Sequence, residues 1–252
     1  MIQRKEAFLR IDAHVHSAGV SICAKKSVEE VIQQKIEEGY DGAILTNHCQ
    51  PWYYVPHQAE HEAYIRSVKE EFTRGKAYAQ ERGFQLLLGL EITLLNPFYS
   101  DWLLYGVNER FLDECPVLYM LSQRELFALC EKYGILMLQA HPFRANNGLP
   151  SKGVGEVEFL HGIEINCSMG DLPYVQKILD VAKEQGKIVT CGTDFHGKPS
   201  RGYALGGMFV PVDVKTSVDF ANYLKETNQT ELFLDNEIIK SPKICQKTRK
   251  SS

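Results

Sequence analysis

The stretch FLRIDAHVHSAGVSICAKKSVEEVIQQKIEEGYDGAILT, residues 8–46, contains the unit from which the fold is built. Its first apolar run, Phe8–Ile11, predicts a strand, and Gly42–Thr46 predicts the next one. Between the two runs, Ser27 and Glu30 have the spacing of a capping box and are followed by apolar residues at helical intervals. The stretch is therefore a strand–helix–strand unit, which is typical of an α/β fold.

The same alternation continues along most of the chain. Further strands are predicted at Gln85–Glu91, Leu103–Val107, Ile135–Ala140, Gly162–Asn166 and Ile188–Thr193. Further helices are predicted at residues 59–82, between a Ser122–Glu125 capping box and Gly134, and at residues 172–184. Because no repeat or linker interrupts the series, we expect one α/β barrel domain over residues 1–239, a fold that commonly uses about 250 residues. Residues 240–252 are basic and polar, and we expect a flexible tail there.

Composition restricts the partners more than the reaction. The 252-residue chain has a formal net charge of −4, so no overall field attracts nucleic acid or an anionic membrane. An anionic substrate must therefore be held by metal ions or by individual arginines. The seven cysteines form no CxxC pair, the N-terminus lacks a signal-peptide core, and the apolar runs are too short to cross a bilayer. These features predict a cytoplasmic protein.

Histidines and carboxylates follow the predicted strands at the points where the strands end. In a parallel barrel these ends form a single rim, and catalytic groups gather there. Five of the eight histidines lie at such ends beside acids. Random placement is a poor explanation of this pattern. The mixture of imidazole and carboxylate suits zinc, manganese or iron rather than magnesium or calcium. The predicted metal ligands are His14, His16, His48, Glu91, His141, Asp194 and His196.

The predicted site suits hydrolysis by a metal-activated water. Two side chains of a His-x-His pair on an extended segment point to the same side, and the two oxygens of Glu91 allow it to bridge two ions. Such a centre lowers the pKa of a bound water and clamps a phosphate. We predict no catalytic residue beyond that water, which Asp194 and His196 support. Arg144 and Arg201 follow two of the ligand segments and are the candidates for binding substrate phosphate.

Five motifs resemble those of the PHP family, the polymerase and histidinol phosphatase domains. They are Asp-Ala-His14-Val-His16, Thr-Asn-His48, Gly-Leu-Glu91-Ile, Ala-His141-Pro-Phe-Arg and Asp194-Phe-His196, in the family's order and across most of the chain. The resemblance implies a distorted (β/α)7 barrel, similar to a TIM barrel, with two or three divalent transition-metal ions. It also implies a phosphoesterase that acts on a small phosphomonoester, as histidinol phosphatases do.

The resemblance further implies how the ligands are shared. His14, His16, Glu91 and Asp194 would hold one ion, Glu91 and His141 a second, and His48 and His196 a third.

The sequence departs from the family pattern at three places. Cys23 lies where many members carry Asp or His, and it is either a thiolate ligand or a small buried cysteine. Asn47 replaces the usual aspartate, and the segment around Asp101 offers only an acid where some members have a histidine. The first ion site is thus the most complete.

Two alternatives remain at the level of sequence. An amidohydrolase-type barrel, such as a deaminase or cyclic amidase, also begins with His-x-His, but it usually has a bridging lysine and ends on a lone aspartate. The Glu91 bridge and the Asp194-x-His196 ending favour the phosphoesterase. A metal-binding barrel without catalysis is the other alternative, motivated by the missing third-site ligands.

Overall fold

The structure is a computed structural model, and it describes residues 7–51, 61–95, 100–145, 151, 153–197 and 202–244. Within these residues, eleven strands form one sheet, against which α-helices pack. The strands are β1 Phe8–Val15, β2 Gly42–Leu45, β3 His48–Cys49, β4 Gln85–Leu94, β5 Ser100–Tyr105, β6 Leu136–Gln139, β7 Gly162–Asn166, β8 Ile188–Gly192, β9 Gly206–Pro211, β10 Glu231–Leu234 and β11 Glu237–Lys240. The helices are α1 Val28–Glu37, α2 His61–Glu81, α3 Glu109–Glu114, α4 Gln123–Tyr133, α5 Val175–Gln185 and α6 Ser217–Glu226.

The sheet curls so that its last parallel strand returns to its first. Its order is β11-β10-β9-β1-β2-β4-β5-β6-β7-β8, with β3 paired to β4. At the open end of this order, the Asp194 amide donates to the His14 carbonyl at 2.9 Å, and the His16 amide donates to the Phe195 carbonyl at 2.9 Å. The chain leaving β8 therefore lies against the chain leaving β1, which brings the first and last ligand motifs together.

The predicted helix boundaries of α1 and α4 are confirmed. Ser27 and Glu30 form a reciprocal capping box at the start of α1, and Ser122 and Glu125 do the same for α4. Gly134 ends α4 with a φ of 70°, a left-handed conformation that glycine adopts without a steric penalty. These signals are local, so the surrounding fold does not alter them.

The expected distorted barrel departs from parallel pairing at β5. The strand predicted at Leu103–Val107 is Ser100–Tyr105, and it runs antiparallel to both β4 and β6. Only five residues separate β4 from β5, too few for the crossover that a parallel strand requires. The protein has a mixed α/β fold with a curled sheet.

The segment after the last ligand motif forms elements that the sequence patterns did not indicate. β9 pairs antiparallel with β1 and with β10, and β10 pairs antiparallel with β11. Helix α6 lies in this segment and begins at a Thr216–Asp219 capping box. The strands extend the sheet beyond β1, so β1 is an interior strand.

Residues at the start of the predicted tail pack against the fold. The Ser241 hydroxyl is buried and accepts a hydrogen bond from the Thr230 amide at 2.8 Å, and the Ile244 amide donates to the Asn228 carbonyl at 2.8 Å. The rest of the predicted tail, residues 245–252, lies outside the described residues. Among the helices that the structure describes, none combines the length and apolarity needed to cross a bilayer.

A buried ion pair fixes the first strand beneath the ligands. Asp12 on β1 accepts hydrogen bonds from the amides of His14 at 3.1 Å and Thr193 at 2.9 Å. Its other oxygen lies 2.9 Å from the ammonium of Lys35, a fully buried side chain of α1. Buried charges are stable only when paired, so this contact ties β1, α1 and the end of β8 together. Asp12 thus contacts two backbone amides and the Thr193 hydroxyl, and none of these contacts is with a candidate ligand ring.

Candidate metal centre

Four ligand atoms from three distant segments converge at the rim of the sheet. His14 and His16 come from the end of β1, Glu91 from β4, and Asp194 from the turn after β8. The two imidazole Nε2 atoms are 2.9 Å apart, and Asp194 Oδ1 lies 3.4 Å from His14 Nε2 and 3.1 Å from His16 Nε2. Glu91 Oε2 lies 3.4 Å from each of the two nitrogens.

The separations of these four atoms fit a tetrahedral ion. Ligands at about 2.0–2.1 Å from zinc lie about 3.3 Å from one another at the corners of a tetrahedron. The separations given above, 2.9 to 3.4 Å, agree with that value. Glu91 Oε2 is also buried without a hydrogen-bond partner. Because an orphaned buried carboxylate oxygen is costly, the residues fit a bound cation.

In the neutral rings of His14 and His16, hydrogen bonds hold the proton on Nδ1 and leave the Nε2 lone pair for an ion. His14 Nδ1 lies 2.7 Å from Glu164 Oε1, and a carboxylate can only accept, so Nδ1 carries the proton. The Ser21 hydroxyl donates to Asn47 Oδ1 at 2.9 Å, so its oxygen accepts from His16 Nδ1 at 3.3 Å. Such outer contacts orient ligand rings and raise their basicity.

A second group of ligands lies on one side of this centre. His48 Nε2 and His196 Nε2 are 3.2 Å apart, and His48 Nδ1 lies 2.8 Å from Glu91 Oε2 without hydrogen-bond geometry. His196 Nδ1 donates to the Asp194 carbonyl at 2.7 Å, so in the neutral ring the lone pair is on Nε2. Cys23 is an exposed residue. Burial of its thiol raises the pKa, but the rings of His196 and His48 lower the pKa of Cys23 to about 6. Its exposure does not fit a small buried cysteine, and its role as a ligand stays a prediction.

A third group lies on the opposite side of Glu91. Glu91 Oε1 is 3.2 Å from His141 Nε2, and Asp101 Oδ2 is 3.9 Å from the same nitrogen. The Thr93 hydroxyl donates to the other Asp101 oxygen at 2.7 Å, so Oδ2 remains directed toward His141. His141 has a φ of 28°, an uncommon backbone conformation for a residue other than glycine. The two oxygens of Glu91 thus face two different groups.

The protonation of the central group reflects its crowded charges. Burial opposes the protonation of His14, but Glu164, Glu91 and Asp194 together raise its pKa well above the ordinary value. Burial and the neighbouring rings of His48 and His196 lower the pKa of His16. Burial would raise the pKa of the two carboxyls, yet the surrounding cations hold the pKa of Glu91 and of Asp194 well below the usual range. Both carboxylates are ionised and able to bind a cation.

The structure describes only one of the two arginines that were predicted to bind phosphate. Arg144 lies at the rim, where its guanidinium contacts Asp194 Oδ2 at 2.5 Å and Asp171 Oδ2 at 2.6 Å. Asp194 therefore presents Oδ1 to the histidines and Oδ2 to Arg144. Arg201 lies outside the described residues. A role for either arginine in binding phosphate stays a prediction.

Sequence reasoning missed Glu164, the fully buried carboxylate on β7. Besides holding the His14 ring, it accepts from the His141 amide at 3.1 Å, so it contacts two candidate ligands at once. A signal was present in the run Gly162-Ile-Glu-Ile-Asn166, where an acid interrupts a buried apolar strand. Glutamate is almost never fully buried unless it has a partner.

The amide at Asn47, where the resembled motif has an aspartate, has a local reason. Asn47 Oδ1 accepts from the Ser17 amide at 2.8 Å and from Ser21 Oγ, while Asn47 Nδ2 donates to Ser17 Oγ at 3.1 Å. The hydroxyl proton of Ser17 goes to Glu71 at 2.6 Å. Ser17 has only one hydroxyl proton, and it donates this proton to Glu71. The side chain at position 47 must therefore donate to the Ser17 oxygen, which an amide can do and a carboxylate cannot.

Comparison with known proteins places this geometry in a recognised fold. Neither a protein-family model nor a curated protein sequence matches the chain. Among solved structures, a two-domain protein from Bacteroides vulgatus containing a predicted PHP-like metal-dependent phosphoesterase matches with a TM-score of 0.65 and 18% identity, over 94% of this chain and 68% of that one. The chain has a PHP-like fold.

Two other solved structures are similar to this chain in fold. An amidohydrolase from Chromobacterium violaceum, with bound sulfate and no metal, matches with a TM-score of 0.57 and 14% identity, over 86% of this chain and 96% of that one. The lesion-specific endonuclease PfuEndoQ from Pyrococcus furiosus matches with a TM-score of 0.54 and 11% identity, over 86% of this chain and 56% of that one. At these identities the likeness concerns the fold.

Proposed function

We propose that the protein is a metal-dependent phosphoesterase that hydrolyses a small phosphomonoester. The observation that carries the proposal is the convergence of His14, His16, Glu91 and Asp194 at separations that suit one tetrahedral ion, with a further group of ligands on either side. The PHP-like fold supports the same reaction class.

The charges of the site support an anionic substrate. Without ions, the carboxylates of Glu91, Asp101 and Asp194 would repel a phosphate. Two or three divalent zinc, manganese or iron ions more than offset these charges when bound, lower the pKa of a water and stabilise the leaving oxygen. The protein's own residues orient the ligands: Glu164 fixes the His14 ring, and Arg144 fixes Asp194.

The depth of the ligands defines where the substrate enters. His14, His16 and Glu91 have no exposed side-chain surface, whereas the side chains of Asp101 and His196 are 23% and 26% exposed. The phosphate would therefore approach past Asp101 and His196, and its leaving group would remain at the solvent side. We propose that Asp194 and His196 support the attacking water.

Elemental analysis combined with an aryl phosphate assay tests this function. We expect two or three ions per chain and turnover of p-nitrophenyl phosphate that depends on added manganese or zinc. Glu91→Gln removes the shared ligand and should lower kcat/KM about 1,000-fold, because metal ions supply several kcal/mol of transition-state stabilisation. Glu131→Gln, which alters a carboxylate that contacts the His161 ring, is the matched control. Metal binding without turnover of any phosphoester would contradict the proposal.

An amide-hydrolysing reaction is the second candidate, because an amidohydrolase shares the fold. The shared endonuclease fold also makes a phosphodiester in nucleic acid worth assaying. Parallel assays with a cyclic amide, bis(p-nitrophenyl) phosphate and a single-stranded oligonucleotide separate these reactions. Faster turnover of the amide would favour the second candidate, and faster turnover of the diester would exclude a dedicated phosphomonoesterase.

A further inference from the structure

The guanidinium of Arg144 joins two buried carboxylates that lie beyond different strands. Its Nε donates to Asp171 Oδ2 at 2.8 Å, and its Nη1 donates to Asp194 Oδ2 at 2.5 Å. Asp171 lies in the segment after β7, and Asp194 lies in the turn after β8. Asp194 belongs to the central group, whereas Asp171 belongs to none of the ligand groups that the described residues form. Arg144 therefore links a candidate ligand to a carboxylate outside the centre.

The orientation of Asp194 depends on this link. Its Oδ1 lies 3.1 Å from His16 Nε2 and so faces the central ion site, while its Oδ2 accepts a charge-assisted hydrogen bond from Arg144. Without Arg144, Oδ2 would lose this partner, and the carboxylate could turn both oxygens toward an ion. The guanidinium thus restricts Asp194 to binding through one oxygen.

Arg144 is in turn held by Asp171. The Nη2 nitrogen also lies 2.6 Å from Asp171 Oδ2, so one edge of the guanidinium faces this oxygen. The backbone fixes Asp171, because its amide donates to the Ser168 carbonyl at 2.8 Å and its carbonyl accepts from the Tyr174 amide at 2.9 Å. The Asp171 side chain is only 4% exposed, and a buried charge is stable only when it is paired. Asp171 is therefore a fixed anchor for Arg144.

The same contacts do not favour Arg144 as a fork for the substrate phosphate. A bidentate fork uses two N–H groups along one edge of the guanidinium. The Nε–Nη2 edge faces Asp171, and Nη1 donates to Asp194, so a phosphate on either edge would compete with a carboxylate. This geometry fits an arginine that orients Asp194 better than one that binds the substrate.

We propose that Asp171 is a positioning residue, which holds Arg144 against Asp194 so that Asp194 presents a single oxygen to the central ion. Asp171 acts only through Arg144 and contacts neither the ion nor the substrate. Loss of Asp171 releases Arg144 from Asp194, so the surroundings of the ion change although every ligand remains. The effect on turnover rests on the proposed function, whereas the effect on the bound ion requires only the metal centre.

Kinetics with inorganic phosphate as the inhibitor separate this role from direct binding of the substrate. Asp171→Asn, whose neutral amide holds a guanidinium weakly, should lower kcat for p-nitrophenyl phosphate about 10- to 100-fold, the usual cost of losing an outer contact to a metal ligand. The inhibition constant of phosphate should not change. Arg144→Lys keeps the charge but not the fork and should give the same result, whereas Asp113→Asn, which removes a surface ion pair with Lys69, is the matched control. Tighter phosphate binding in Asp171→Asn, or weaker phosphate binding in Arg144→Lys, would overturn the proposal.

Cobalt(II) absorption provides a second readout, which needs no substrate. Cobalt substitutes for zinc, and its visible bands are intense in four-coordinate sites and weak in sites of higher coordination number. With one equivalent of cobalt on the metal-depleted protein, we expect Asp171→Asn and Arg144→Lys each to weaken the bands, because Asp194 is then free to bind through both oxygens. The double variant Asp171→Asn/Arg144→Lys should have the spectrum of Arg144→Lys alone.

The spectra test the role of Asp171 independently of the reaction. Weak bands in the wild type, a wild-type spectrum in Asp171→Asn, or additive changes in the double variant would contradict a residue that acts through Arg144. If the spectra change as expected while no phosphoester is hydrolysed, the role of Asp171 stands and the proposed function is wrong.

Discussion

Glu164 is the residue around the centre that supports two candidate ligands at once. It accepts from His14 Nδ1 at 2.7 Å and from the His141 amide at 3.1 Å, and both contacts require a group that only accepts. Replacement by glutamine keeps the size of the side chain but turns one acceptor into a donor. One of the two ligands then loses its support.

We predict that Glu164→Gln weakens zinc binding about 10- to 100-fold, the usual cost of losing an outer contact to a metal ligand. A competition titration against a chromogenic chelator measures this change. Glu131→Gln is the control, since Glu131 likewise contacts a histidine ring at 2.8 Å but lies away from the centre. An affinity equal to that of the wild type would show that Glu164 does not orient the ligands.

Asn47 and Glu71 make a second residue-scale prediction. Asn47→Asp would place two carboxylates around Ser17, which has one hydroxyl proton to donate. We expect a loss of about 1–3 kcal/mol in the free energy of unfolding, the cost of an unsatisfied buried polar group. Urea denaturation measures the loss.

The double variant Asn47→Asp/Glu71→Gln exchanges the amide and the carboxylate and should recover part of that stability. A double-mutant cycle with the two single variants gives the coupling energy. If the double variant loses the sum of the two single losses, the two residues are not coupled through Ser17.

At the scale of the secondary-structure elements, the contact between β8 and β1 controls the site. A Cβ atom added at Gly192 would lie 2.5 Å from the Cβ of His14 and 2.7 Å from its backbone nitrogen. Neither atom can move without shifting β1. The absence of a side chain at this one position therefore allows the first and last ligand motifs to approach each other.

We predict that Gly192→Ala destabilises the protein by about 1–3 kcal/mol, the range for forcing an extra methyl group into a packed core. It should also weaken metal binding, because His14 and Asp194 move apart. Gly170→Ala is the matched control, since a Cβ at Gly170 meets no atom within 4 Å. Thermal unfolding and chelator competition measure the two effects. Wild-type metal affinity in a destabilised Gly192→Ala would separate the strand contact from the site.

At the scale of the whole molecule, the sequence predicted the features that depend on local chemistry. The Ser27–Glu30 box and the Gly134 stop follow from the backbone groups within one helical turn, and the structure confirms them. The direction of β5 is not encoded in its apolar pattern, which is the same for a parallel and an antiparallel strand. The short connection before it was the available signal.

The candidate site was predictable for a similar reason, and only in part. The candidate ligands converge because the strand ends lie at the same rim of the sheet. Their positions after predicted strands were therefore sufficient to identify them. The contacts of Arg144 with Asp194 and of Glu164 with His14 depend on distances across the sheet. No pattern along the chain contains such distances.

The different burial of the ligands predicts the order in which metal ions bind and dissociate. His14, His16 and Glu91 are completely enclosed, whereas His48, His141, Asp101 and His196 retain 9–26% of their side-chain surface. Among the residues that the structure describes, the flanking ligands lie nearer to solvent than the central ones, so a central ion would leave past the flanking positions. We therefore expect the last ions to arrive to be the first to leave. A stopped-flow experiment with a strong chelator should show a rapid release followed by a slow one, and a single phase would contradict this order. The protein would then keep its innermost ion through brief periods of metal scarcity and regain full occupancy without rebuilding the site.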